Sequence, residues 1–148
     1  MANAFNDELS AAGFTKKGFT WYLRRDDVIA SLNLQKSNYD ATYFINLGFW
    51  IRAIEDVESP RPELCHVRTR ADALGQFDSE GNAVLLTFAD TPDGVSSKLA
   101  NVQKFLREDV IPFLVQGITL AGLTAHVQKY KGLMVRRVAW DLLGVAEL

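Results

Sequence analysis

The sequence holds one cysteine, two histidines and four prolines among 148 residues, and each scarcity closes off a class of chemistry. With Cys65 alone, no intramolecular disulfide can form, which suits a reducing compartment. Two histidines and one cysteine, scattered through the chain, offer no metal-ligand spacing. There is no phosphate-binding P-loop, no dinucleotide fingerprint and no Gly-x-Ser-x-Gly elbow, so no cofactor is expected. Long apolar runs are missing too: the longest, near 111–115, is far too short to cross a bilayer. The first fourteen residues carry neither a basic nor an apolar targeting segment, and a cytoplasmic protein without membrane attachment is expected. Charge of one sign is absent as well. Sixteen basic and 18 acidic residues give a net charge of −2 without like-signed blocks, which argues against general nucleic-acid binding.

What is present is an ordinary core-forming composition, with 48% hydrophobic and 23% charged residues, enough for one domain spanning 1–148. Ala4, Phe5, Leu9 and Ala12 share a helical stripe, and Gly13 closes it. The period then changes to two. Residues 20–24, 28–35 and 43–52 read as strands joined by the turns 26–27 and 37–40. A fourth strand is predicted over 65–70, after a proline-containing loop. Residues 71–82 read as loop, and the run 84–88 fits either period. Helical spacing returns after Thr91-Pro92, through Leu99, Val102, Leu106, Val110 and Phe113, with Pro112 expected to kink or split the helix. A second helix is predicted from 119 to 130, ended by Gly132, and the segment 134–143 leans to helix. The fold class is α+β: an N-terminal helix, about four antiparallel strands and two or three C-terminal helices on one sheet face.

The ordered set Gly13-Phe14-Thr15-Lys16-Lys17-Gly18, Thr20-Trp21-Tyr22, Leu34-Gln35-Lys36-Ser37, Phe44-Ile45-Asn46-Leu47-Gly48 and Cys65-His66-Val67-Arg68 resembles an uncharacterised bacterial family, domain-of-unknown-function family 4304. The resemblance covers the N-terminal half well and the helices loosely, and it implies no activity.

Strand alternation carries the functional expectation. Ala30, Leu32, Leu34, Ile45, Leu47, Phe49 and Ile51 should meet the helices, together with Cys65 and Val67. The opposite face then collects Arg24, Ser31, Asn33, Gln35, Asn46, Arg52, His66, Arg68 and Arg70, interleaved with Tyr22, Phe44 and Trp50, and Gly48 leaves a low spot among them. Wet faces of antiparallel sheets carry such residues with no function at all. Yet guanidinium forks, amides and flat rings together also suit an anionic ligand or a protein partner. The leading reading is a non-catalytic binding or protein-interaction module, with Arg68, Arg70, His66, Asn46, Gln35 and Trp50 as contacts. The alternative is an enzyme acting on a phosphorylated or carboxylated small molecule, with His66 as general acid or base. Homo-oligomer formation through Phe44 and Trp50 is a third.

Other groups invite less. Cys65 reads as a small buried residue rather than a nucleophile, and His126 falls on the polar side of its helix. The pairs Asp26-Asp27, Glu55-Asp56 and Glu108-Asp109 read as solvated charge. Lys16-Lys17 reads as a basic turn, and Arg136-Arg137 as surface.

Overall fold

A computed structural model describes residues 2–36, 43–74, 92–130 and 132–144. The expected turn at 37–40, the run 84–88, most of the loop 71–82 and the cap at Thr91 lie outside the described residues.

Helix α1 (Ala2–Ala11) buries Phe5 and Leu9, four residues apart, on its inner face. Phe5 lies 6.0 Å from the Trp21 ring, and Trp21 Nε1 donates to Asn6 Oδ1 at 3.2 Å. One helical stripe thus supplies both the packing and the polar partner that a buried indole needs.

Among the described residues the chain then forms six antiparallel strands in sequence order: β1 (Thr15–Lys17), β2 (Thr20–Arg24), β3 (Val28–Lys36), β4 (Tyr43–Ile51), β5 (Val67–Arg70) and β6 (Met134–Val135). The count is six where about four were expected. The two additions are the edges, and they are too short to show alternation. β1 comes from the segment read as a basic turn; Gly18, at φ +63°, turns the chain back into β2. β6 comes from the start of a segment read as helix. Edges this short, one of them carrying Lys16 and Lys17, leave little template for further pairing.

The helical third follows the sequence closely. Helix α2 (Pro92–Phe105) runs into a π-helical turn (Leu106–Val110) and on into α3 (Ile111–Gln116). Pro112 has no N–H and crowds the turn before it, and just there Ile111 N–H reaches back five residues to Leu106 O. Thr119 caps α4 (Leu120–Lys129) by accepting from Gly122 N–H at 3.0 Å. α5 (Arg137–Leu143) ends on Gly144 in the left-handed conformation.

The helices lie on the expected sheet face. Trp21, Leu23, Ala30, Leu32, Leu34, Ile45, Leu47, Phe49, Ile51 and Val67 form one apolar cluster with α1 to α5. Burying each large side chain there contributes roughly 1.5–3 kcal/mol. His126 belongs to this buried side, contrary to expectation. Its ring stacks on Phe113 at 4.4 Å, and Nε2–H donates to Phe113 O at 2.8 Å. It completes a stripe with Leu123, Val127 and Tyr130 that the polar side chain disguises in sequence.

Candidate binding face

The other sheet face is two surfaces, not one. At one end the segment 52–66 leaves β4, crosses the sheet and returns as β5. Trp50 Nε1 donates to Glu55 O at 2.6 Å, Arg24 Nε to Glu58 O at 2.7 Å and Tyr22 Oη to Pro60 O at 3.0 Å. Arg24 Nη2 also reaches Ser59 Oγ at 3.0 Å. Beneath this strap Tyr22, Ile29, Trp50 and Cys65 form a second apolar cluster, with Val57 packed on it. Each bond runs from a sheet side chain to the strap, and most end on a main-chain carbonyl. These satisfied carbonyls let a loop lie over apolar side chains without stranding its own polar groups.

This cover corrects several expectations. Trp50 is 4% exposed and not an available contact, so Phe44 and Trp50 cannot form one oligomerising surface. Gly48 leaves no low spot, since a Cβ there would stand 2.7 Å from Cys65 Sγ. Cys65 does not point to the helices with Val67. Strand β5 begins only at Val67, so alternation does not reach back to residue 65. Its sulfur lies 3.7 Å from Ser31 Oγ and from Arg61 O, under the strap. Burial pushes the thiol up to about 11, which leaves it protonated and unreactive at neutral pH.

His66 is not on the outer surface either. It is 1% exposed and covers Trp50 with ring centroids 4.2 Å apart. Nδ1 accepts the Ile51 N–H at 2.9 Å, taking the place of a strand carbonyl at the end of β4. Burial, and then the charge of Arg136, lowers its pKa to about 4. A sealed imidazole with one nitrogen bonded to the main chain is not offered to a substrate, and the geometry gives no support to His66 as a general acid or base.

Beyond the strap no described element crosses this face. One register row crosses five strands: Lys17, Thr20, Asn33, Asn46 and Arg70. Asn46 Nδ2 donates to Asn33 Oδ1 at 3.1 Å and to Gln35 Oε1 at 3.0 Å. Asn33 Nδ2 in turn reaches Thr20 Oγ1 at 3.0 Å and Phe19 O at 3.3 Å. The amides therefore stand in fixed orientations. Arg70 is exposed and lies over the Phe44 ring at 4.4 Å. It has no carboxylate partner among the described residues. Arg68, in the next row, is half-buried and donates to Glu63 O. Of the six expected contacts, Gln35, Asn46 and Arg70 share this open end, Arg68 is tied to the strap at its border, and His66 and Trp50 are sealed away.

Two features were missed in the sequence. Lys17 and Thr20 belong to the row, but β1 was not recognised as a strand. The charge segregation was also overlooked. Lys16, Lys17, Arg24, Lys36, Arg68 and Arg70 lie on strands, whereas none of the six strands contains Asp or Glu. The strap, by contrast, carries Glu55, Asp56, Glu58 and Glu63.

Among the described residues no three His, Cys, Asp or Glu side chains are grouped to hold a metal ion. No single described helix is long and apolar enough to cross a membrane. A family model described as "Domain of unknown function (DUF4304)" matches residues 5–116. No curated protein and no solved structure matches the chain.

Proposed function

The chain belongs to the family described as domain of unknown function DUF4304, and from its own geometry we propose a non-catalytic binding module that engages an acidic partner through the open end of its outer sheet face. One observation carries this reading. An exposed guanidinium, laid over an aromatic ring and without a carboxylate partner among the described residues, stands beside an oriented row of amides. Such a group is held ready in one place by stacking, so little freedom is lost when it meets a carboxylate. The acid-free strands around it favour an anionic partner. Among the described residues no geometric observation favours the enzymatic reading.

The test compares affinity-tagged wild type with an Arg68→Ala/Arg70→Ala double variant in native extract, by quantitative mass spectrometry. A partner held by this face should be depleted about tenfold or more in the variant, as for arginine hot spots. The variant's thermal midpoint should stay within a few degrees of wild type. Identical partner sets, with the fold intact, would reject this face.

A further inference from the structure

The strap is an internal example of how this sheet holds a peptide. It crosses the strands from Trp50 on β4 to Arg24 and Tyr22 on β2 and returns over Gly48 on β4. Four sheet side chains, Trp50, Arg24, Tyr22 and Arg68, read it by main-chain carbonyls, which any extended sequence presents. The gripping arginine, Arg24, lies over the Tyr22 ring at 4.8 Å. At the open end the same pairing recurs in Arg70 over Phe44 at 4.4 Å.

From this repetition we infer that the open row binds an extended acidic peptide segment of a partner protein, laid across the strands parallel to the strap. The inference rests on the binding role proposed above and specifies what the face takes. Gln35 uses Oε1 to accept from Asn46, which leaves its Nε2 to donate to a peptide carbonyl. Asn46 spends its Nδ2 on Asn33 and Gln35, which leaves Oδ1 to accept a peptide N–H. Lys17 and Arg70 stand at the two ends of the row. Five strands at about 4.8 Å spacing span about 19 Å, close to six residues of extended chain at about 3.3 Å each. Two carboxylates about six residues apart, an even spacing that puts both on one side of an extended chain, would therefore meet both cations at once, while the amides between them hold main chain.

The test uses capped decapeptides of Glu, Ser and Ala titrated into isotope-labelled full-length protein and followed by NMR. One peptide has two glutamates six residues apart, one has them adjacent, and one carries lysine in their place. The spaced acidic peptide should shift the amides of Lys17, Gln35, Asn46 and Arg70, and bind several-fold more tightly than the adjacent form. The lysine peptide should leave the spectrum unchanged. Arg70→Ala should weaken the spaced peptide about tenfold, as expected for a lost charge-assisted bond. Lys17→Ala should weaken it about threefold, and Arg137→Ala on α5 not at all. Silence from the spaced peptide at millimolar concentration, equal binding of the lysine form, or an affinity indifferent to Arg70→Ala would each overturn the inference. If the peptides fail while partner depletion in extract still depends on Arg68 and Arg70, the face recognises a folded surface and only the peptide claim falls.

Discussion

At the scale of single residues, the clearest consequence of the fold is a histidine made to stay neutral. His66 Nδ1 accepts the Ile51 N–H, so protonating that nitrogen would set two donors against each other. Arg136, whose N–H donates to His66 O at 2.8 Å, adds a like charge nearby. The folded pKa of about 4 lies below the ordinary 6.5, so the unfolded chain binds the proton first. The stabilising effect is complete above pH 6.5 and is lost as the pH falls from there toward 4. His126, also lowered chiefly by burial, acts in the same direction. The urea midpoint of wild type should therefore drop across this window, and His66→Asn should lower stability at pH 7 yet flatten the drop. The imidazole proton shifts of His66 should show no titration down to pH 5. A midpoint near 6.5 for that ring would sink the argument.

At the scale of elements, legibility followed length. β3 and β4, nine residues each, declared their inner and outer faces by alternation, clean at only one end of β3, and the helices declared theirs by stripe. β1 and β6, of three and two residues, could not. The strap was legible only as a loop. Its destination depended on register, because only register places Ile29, Tyr22 and Trp50 together as an apolar end of an otherwise polar face. An isoleucine among outward-facing positions was the available signal that something covers them. Arg24 is the strap's main clasp, bonded to Glu58 O, Ser59 Oγ and Thr15 Oγ1. Arg24→Ala should free the strap locally by roughly 1–2 kcal/mol. Hydrogen exchange should then quicken about tenfold or more over residues 53–64, with β3 and β4 unchanged. Uniform quickening across the sheet would mean the strap and sheet open together.

At the scale of the whole molecule, among the described residues the six-stranded sheet lies between a helical layer and a partial strap that leaves one end of its face uncovered. The apolar cluster on the helical side draws on every described helix and on β2 to β5, with Val135 of β6 packed against it. A core shared so widely should be lost in one step. The three tryptophans sit where they can test this. Trp21 packs under α1, Trp50 under the strap, and Trp140 on α5 is half-buried against the main cluster. In variants retaining one tryptophan each, the other two replaced by Phe, urea unfolding should give the same midpoint by fluorescence and by far-ultraviolet circular dichroism. Comparing the two signals within each variant removes the unequal cost of the replacements. An earlier transition for Trp140 would make the C-terminal helix a separate unit; an earlier one for Trp50 would mean the strap leaves before the sheet melts. The second outcome bears on binding, because a strap that releases first would bare the Arg24 and Tyr22 pairing in addition to that of Arg70 and Phe44.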